Sequence, residues 1–158
     1  MAVVFVTGMS GTGKSSALAE LARRGHHAVD LDSTEWSEWF PEDDEWRWRE
    51  ARVAGLLADP GPGTLFVCGT QSNQGRFYDR FDAVVLLSAP EDVLLARVAE
   101  RTTNDFGKSP EERGRILADL RTVEPLLRAT CTHEIDARRP LAEVVAELEE
   151  IAAAATRR

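Results

Sequence analysis

A short apolar run that leads directly into a glycine-rich loop is the feature that most constrains how this chain can fold. The run Val3–Thr7 is mostly β-branched, residues 8–15 read GMSGTGKS, and apolar residues return at helical spacing over residues 15–24. A strand, a tight loop and a helix in this order fit the pattern G-x-x-x-x-G-K-[ST]. Glycines let successive backbone N–H groups turn inward around phosphate oxygens, and the helix N-terminus adds its positive dipole end. The pattern therefore predicts a phosphate-binding loop at the start of a βα unit.

The residue types within this loop indicate how a nucleotide would be held. Lys14 would reach the β- and γ-phosphates and act in catalysis, and Ser15 would ligate magnesium. We expect ATP and Mg²⁺ as cofactors, because the sequence has no Asn-Lys-x-Asp motif of the kind that selects guanine. The loop residues expected to contact ATP are Gly8, Ser10, Gly11, Thr12, Gly13, Lys14, Ser15 and Ser16.

The remaining strand-like runs predict the fold class. They cover residues 27–31, 64–68, 83–88 and 132–135, and helices are predicted over residues 15–24, 44–58, 91–101, 110–128 and 140–154. Several of these strands are apolar without alternation, which suits a parallel sheet covered on both faces. We therefore expect an α/β fold, a single three-layer α/β/α domain over residues 1–158.

Composition and charge exclude several classes of protein. The chain has 158 residues, of which 43% are hydrophobic and 29% charged, as in ordinary globular domains. Its formal charge of −8 argues against broad binding to nucleic acid, and no apolar run approaches the roughly 18 residues of a membrane span. We expect a cytoplasmic monomer or homodimer, not bound to a membrane, whose partner is a small-molecule substrate.

Two aspartates follow the second predicted strand. Asp30 and Asp32 flank Leu31, so alternation points both to one side of the strand at its carboxyl end, where ligands of open parallel sheets bind. One could hold magnesium through water, and the other could orient or deprotonate an acceptor hydroxyl. A solvated aspartate pair that opens a turn is the alternative. Gly69, not an acid, follows the third strand, which leaves Asp30 and Asp32 as the metal candidates.

Four features together resemble the adenylate kinase-like P-loop kinases, and within them the shikimate and gluconate kinases. They are the phosphate loop, the Asp30-x-Asp32 pair, the glycine-bearing loop over residues 69–75 and an arginine-rich stretch over residues 97–108. The resemblance implies a five-stranded parallel sheet of order 2-3-1-4-5, a substrate-binding segment at about residues 33–58 and a lid at about residues 101–112. It also implies transfer of the γ-phosphate of ATP to a hydroxyl of a small-molecule acceptor.

The same resemblance implies roles for individual residues. Asp30 is similar to the magnesium-linked acid of shikimate kinases, Asp32 to the acid that contacts the acceptor hydroxyl, and Arg49 to the arginine that holds the acceptor carboxylate. Thr70 and Gln71 are expected to contact the substrate, although they stand in a polar loop where shikimate kinases have a triple-glycine run. The arginine that those kinases carry after the lid is also absent, so the acceptor stays open.

The segment over residues 33–58 contains all four tryptophans and many acids. If it binds the acceptor, its aromatics, Trp36 among them, supply apolar walls, and its carboxylates favour a neutral or cationic polyol or amine over a nucleotide. In the alternative reading, the tryptophans pack a helical flap onto the sheet while the acids face water.

Arginines near the predicted lid are candidates for contact with the transferring phosphoryl group. Arg101 and Arg97 lie four residues apart at the end of a predicted helix, with Lys108 beyond them. Guanidiniums that close over the phosphoryl group would stabilise its charge and exclude water. Cations that merely complement the helix dipole are the alternative. By resemblance, residues 137–139 lie beside adenine, so Arg138 is a further cofactor-binding candidate.

Two other functions compete with a small-molecule kinase at this stage. A nucleoside or nucleotide kinase would prefer acceptors of that kind. A regulatory nucleotide-binding NTPase module would act on a protein partner and transfer phosphate to no small hydroxyl compound.

Overall fold

A computed structural model of the protein, which describes residues 2–102 and 106–157, has a five-stranded parallel sheet at its centre. The strands in chain order are β1 Val3–Thr7, β2 His27–Asp30, β3 Ser37–Phe40, β4 Glu45–Trp48, β5 Leu65–Cys68, β6 Ala83–Ser88 and β7 His133–Asp136. The central sheet has the order β2-β5-β1-β6-β7, and each neighbouring pair is parallel. Numbered among these five strands alone, the order is 2-3-1-4-5, as the resemblance implied.

Helices cover both faces of the sheet, which confirms the predicted α/β fold. They are α1 Lys14–Arg23, α2 Glu50–Ala58, α3 Glu91–Glu100, α4 Pro110–Thr122, α5 Glu124–Thr130 and α6 Leu141–Thr156, with a 3₁₀ helix at Gln74–Arg80. The 3₁₀ helix lies in a stretch where no regular element was predicted.

Alternate residues of the strands supply the two apolar layers beneath the helices. Val4 and Val6 of β1 belong to a buried cluster that includes residues of α1 and α6. Val3 and Phe5 belong to the cluster on the other face, with residues of α2 and the 3₁₀ helix. Because all five residues of β1 are buried, the strand has no polar face, as expected for the middle of a covered parallel sheet.

Residues 45–48, which fall within the predicted helix over residues 44–58, instead form the second strand of an antiparallel hairpin. Strand β3 pairs with β4, so that Trp39 lies opposite Trp46 and Ser37 opposite Trp48. Aromatic residues alternate with charged ones along β4, and such alternation of aromatics favours a strand. The helical prediction was wrong for these residues, and α2 begins only at Glu50.

The single helix predicted over residues 110–128 is two helices in the structure. Helix α4 ends at Thr122 and α5 begins at Glu124, with Pro125 in the first turn of α5. Proline has no backbone N–H to donate, and its ring clashes with the preceding helical turn. The helix is therefore interrupted at Val123, which lies between α4 and α5.

Candidate active site

The glycine-rich loop connects the carboxyl end of β1 to the N-terminus of α1, as predicted. Gly11 and Gly13 have positive φ angles of 89° and 91°, which L side chains rarely adopt. At Gly8 the constraint is space, since an added Cβ would lie 2.5 Å from the carbonyl oxygen of Leu87. The three glycines thus hold the backbone in a turn that a substituted residue would distort.

The start of α1 provides the donors that a phosphate group requires. Helix α1 begins at Lys14, and the N–H groups of a first helical turn have no acceptor within their own helix. Ser15 and Ser16, both exposed, lie in this turn. The hydroxyl of the buried Thr12 instead donates to the carbonyl of Met9 at 2.9 Å, so this side chain stabilises the loop itself.

Lys14 lies across the loop. Its amino group donates to the carbonyl oxygens of Gly8 and, at 3.3 Å, of Met9. Burial lowers the pKa of Lys14, and the charges of Asp32 and Asp30 oppose that effect. A cation that is poorly hydrated and aimed at oxygen atoms is well suited to phosphate oxygens, which would replace these carbonyls as its acceptors.

Asp32 is held rigidly between two donors. Its Oδ1 accepts from the indole N–H of Trp48 at 3.1 Å, and its Oδ2 accepts from the backbone N–H of Thr70 at 2.8 Å. Burial raises the pKa of Asp32, while the neighbouring Lys14 and both hydrogen bonds favour the charged form. The result is a carboxylate of fixed orientation that holds a proton more readily than an ordinary aspartate.

Asp30 has a different environment from Asp32. It is exposed at the end of β2, and its Oδ1 accepts from the backbone N–H of Asp32 at 2.9 Å. Within residues 2–102 and 106–157, no group of three or more His, Cys, Asp or Glu side chains could hold a metal ion. Mg²⁺ needs few protein ligands, because substrate phosphates and water complete its shell. The hydroxyl of Ser15 and the carboxylate of Asp30 fit that requirement.

The polar loop after β5 is bonded to the phosphate loop. The Thr70 hydroxyl donates to the carbonyl of Gly8 at 2.6 Å. The Gln74 side chain donates to the Thr7 hydroxyl at 3.2 Å and accepts from the backbone N–H of Gln71 at 2.8 Å. This loop therefore fixes Asp32 and the phosphate loop relative to each other.

Two neighbouring cavities share Asp32 in their linings. The smaller, about 160 Å³, lies over the phosphate loop and is lined by Gly8, Met9, Ser10, Lys14, Asp32, Thr70, Ile116 and Asp119. The larger, about 1180 Å³, extends between the hairpin, the loop after β5 and helices α4 and α5. Met9, Asp32, Thr70 and Asp119 line both. A phosphate group in the first cavity and a small molecule in the second would therefore meet beside the Asp32 carboxylate.

Asn73 is a site residue that the sequence reasoning missed. Its buried side chain accepts from the backbone N–H of Trp48 and donates to the carbonyl of the same residue, each at 3.0 Å. This pair of bonds attaches β4 to the loop after β5 and thereby holds the Trp48 indole beside Asp32. The signal available in the sequence was only an asparagine in a polar loop, which does not indicate a partner 25 residues away.

The two arginines predicted near the lid, Arg97 and Arg101, contact different parts of the structure. Arg97 donates to the carbonyl of Ala137 at 2.6 Å and to that of Gly11 at 3.4 Å, so it connects the phosphate loop to the segment after β7. Arg101 donates to the carbonyl of Phe106 at 2.6 Å, and burial lowers its pKa. Residues 103–105 of the predicted lid lie outside the described residues.

Two residues predicted to contact the substrate do not line either cavity. Trp36 packs against the apolar cluster on the α2 face of the sheet. Arg49 donates to Glu38 at 2.9 Å and to the carbonyl of Thr34 at 3.3 Å, so its guanidinium supports the hairpin. The structure thus brings Asp32, Thr70 and Gln71 to the larger cavity but not Trp36 or Arg49.

Arg138 lies at a separate cavity of about 580 Å³ at the carboxyl ends of β6 and β7. Its guanidinium pairs with Asp136 at 2.8 Å, and its backbone N–H also donates to that carboxylate. This ion pair lowers the pKa of Asp136 to about 2. The predicted role of Arg138 beside a nucleotide base stays a prediction.

Comparison with protein families identifies the group to which this architecture belongs. The AAA domain family matches residues 4–118, which include the phosphate loop, both aspartates and most of α4. The chain belongs to the AAA domain family. Comparison with curated proteins finds no significant sequence match for this AAA domain.

Solved structures place this AAA domain among small P-loop kinases in fold. Shikimate kinase from Bacteroides thetaiotaomicron matches with a TM-score of 0.69 at 19% identity, over 95% of this chain and 97% of the other. Shikimate kinase from Acinetobacter baumannii, solved with shikimate, matches with a TM-score of 0.66 at 18% identity, over 96% of this chain and 92% of the other. A gluconokinase from Sinorhizobium meliloti matches with a TM-score of 0.60 at 25% identity, over 99% of this chain and 92% of the other. The predicted resemblance to shikimate and gluconate kinases is confirmed.

Among the described residues of this AAA domain, no helix is both long and apolar enough to cross a membrane.

Proposed function

We propose that this protein transfers the γ-phosphate of ATP to a hydroxyl group of a small-molecule acceptor. The observation that carries the proposal is the position of Asp32, which lines both the small cavity over the phosphate loop and the large cavity beside it. An acceptor in the large cavity would present its hydroxyl to a carboxylate that already faces the phosphate pocket. Proximity of this kind is a main source of rate in phosphoryl transfer.

The chemical step follows from these positions. The acceptor oxygen attacks the γ-phosphorus, the bond from that phosphorus to the β–γ bridging oxygen breaks, and ADP departs. The hydroxyl proton passes to the Asp32 carboxylate, whose raised pKa makes it a better proton acceptor than an ordinary aspartate. Lys14 and the first-turn N–H groups of α1 bind the charge that moves to the leaving phosphate.

Further components belong to the same proposal. Ser15 and Asp30 would hold Mg²⁺, whose contribution when bound is to neutralise charge on the phosphate oxygens. Arg101, in the lid at about residues 101–112, and Arg97, on α3, would act on the phosphate, and Arg138 would lie near adenine. We further propose a cytoplasmic monomer or homodimer, in keeping with the acidic charge and the size of a single domain.

The large cavity favours a small-molecule acceptor over a regulatory module. A domain that only senses ATP and acts on a protein partner has no use for a cavity of about 1180 Å³ that lies beside its phosphate pocket. A nucleoside or nucleotide kinase stays the second candidate, because the tryptophans at this cavity could stack on a base. Nucleotides as acceptors are disfavoured by the carboxylates that line it.

The test is label transfer from γ-labelled ATP with Mg²⁺ to pooled polyols, hydroxy acids, amino sugars, aminoglycosides and nucleosides. The expected result is label in a new compound, lost in Lys14→Ala and in Asp32→Asn. Slow release of inorganic phosphate alone, together with ATP-dependent binding of a protein partner, would contradict the proposal and support the regulatory module.

The pH dependence of transfer should report the ionisation of Asp32. Because Asp32 must be charged to accept a proton and its pKa is raised, the rate should fall with acid at a pH above about 4, where an ordinary aspartate titrates. Trp48→Phe removes the indole N–H that favours the charged form. In this variant the fall in rate on acidification should begin at a still higher pH. At acidic pH its transfer rate should be about tenfold below that of the unchanged protein, and at high pH the two rates should agree.

The control for this change is Trp36→Phe, which alters a tryptophan packed against the same apolar cluster but not bonded to Asp32. Its acid limb should coincide with that of the unchanged protein. Rate–pH profiles and thermal unfolding of all three proteins separate ionisation from packing. If the rate–pH profile of Trp48→Phe coincides with that of the unchanged protein, Asp32 is not the proton acceptor.

A further inference from the structure

The charge of the large cavity bears on the chemical class of the acceptor. Among the described residues that line it, four are carboxylates, Asp32, Glu45, Glu112 and Asp119, and Arg115 is the one guanidinium or amine. Glu45 is paired with Arg47 outside the lining, at 2.6 Å. Glu112 accepts from the backbone N–H of Gly107 at 3.2 Å, which leaves its charge in place. An acceptor that covers these groups must compensate negative charge.

Asp119 is the second carboxylate, beside Asp32, that lines the cavity over the phosphate loop. It lies on α4 and lines both the large cavity and the 160 Å³ cavity over the phosphate loop. Its side chain makes no hydrogen bond or ion pair with the parts of the chain spanning residues 2–102 and 106–157. A carboxylate beside a triphosphate is unfavourable unless a cation lies between them, and an acceptor can bring that cation.

Two tryptophans of the hairpin form an aromatic wall of the large cavity, which also favours a cationic ligand. Trp39 and Trp46 lie edge to face, with centroids 5.9 Å apart, and both line the large cavity. They are 43% and 44% exposed, so both side chains are accessible to a ligand in this cavity. Tryptophan is the side chain that attracts a cation most strongly through its ring face.

The residue that would hold an acceptor carboxylate points elsewhere. Arg49 is paired with Glu38 and lies outside both cavities. We propose that the acceptor is a hydroxyl compound that also carries a protonated amine. Its hydroxyl faces Asp32, its ammonium group is bound by Asp119, and its body packs on Trp39 and Trp46. The inference rests on the proposed function, since it names the acceptor of that transfer.

Matched compounds of different charge test this inference. Glucosamine, glucose and gluconate share a six-carbon skeleton and carry an ammonium group, no charge and a carboxylate. Kanamycin and trehalose form a larger pair, with and without amines. Binding of each is measured by calorimetry with Mg²⁺ and a non-hydrolysable ATP analogue, and transfer by γ-label. In at least one set, the amine should bind about tenfold more tightly than its matched partners.

Asp119→Asn should remove that preference by raising Kd and KM for the amine about tenfold, with little change in kcat. The control Glu150→Gln removes an equal charge from α6 at an exposed position and should retain the preference. The inference is overturned if in neither set the amine binds more tightly than its matched partners, or if Asp119→Asn changes only the Mg²⁺ requirement.

The outcomes also separate this inference from the proposed function. Label transfer to a neutral or anionic acceptor would support the kinase and overturn the ammonium preference. Selective, Asp119-dependent binding of amines with no transfer to any compound would keep the preference and overturn the kinase.

Discussion

Lys14→Ala is expected to lower phosphoryl transfer by about a hundred- to a thousandfold. The amino group lies across the phosphate loop on the carbonyls of Gly8 and Met9, where phosphate oxygens would replace them. Its removal takes away the partly buried cation that stabilises charge on the bridging oxygen as ADP departs. The measurement is the single-turnover rate of label transfer at saturating acceptor, together with ATP affinity.

Stability should not fall with activity in this variant. Burial lowers the pKa of Lys14, so the folded protein holds the charged amine less favourably than the unfolded chain does. The thermal unfolding midpoint should therefore stay the same or rise. Arg24→Ala is the control, because it removes an exposed cation from the far end of α1, and its transfer rate should be unchanged. A normal rate of label transfer in Lys14→Ala would show that the phosphate loop takes no part in the reaction.

The sequence predicts the central sheet and the phosphate loop well because both depend on local signals. The run Val3–Thr7 has apolar residues on both sides of a strand, so it favours a strand that is covered on both faces of the sheet. The loop after it contains glycines at positions where φ is positive or a Cβ has no room. Each of these constraints acts within a few residues and is therefore visible in the sequence.

The hairpin could not be predicted as readily, because its stability comes from distant partners. Trp48 is buried against Phe5 and Phe77 and is bonded through its backbone to Asn73. None of these contacts is local, and residues 44–58 also contain enough apolar residues at helical spacing to suggest a helix. The alternation of Trp46, Arg47 and Trp48 was the available signal for a strand.

The same limit applies to the candidate site. Resemblance indicated Asp32, and the structure places it in the linings of both cavities. Resemblance also indicated Arg49, but this arginine pairs with Glu38, an acid that follows from no family pattern. Asp119 was not considered, because a single aspartate within a helix gives no indication of which cavity it faces.

Gly69→Ala should lower transfer by about a hundredfold without unfolding the protein. A Cβ at this position would lie 2.6 Å from Oδ1 of Asp32 and 2.9 Å from a ring carbon of Trp48. Both distances are too short, so the carboxylate and the indole must move apart, and the hydrogen bond between them is lost. Displacement of the proton acceptor by about an ångström is sufficient for an effect of this size.

Gly55→Ala is the matched control, since a Cβ added there in the middle of α2 meets no atom within 4 Å. That variant should keep the transfer rate and gain slightly in thermal stability, as alanine favours a helix more than glycine does. In Gly69→Ala, ATP affinity should stay close to normal, because Lys14 and the first turn of α1 are not touched by the new methyl group. The loss should therefore appear in kcat, and equal transfer rates in the two variants would show that the position of Asp32 is not critical.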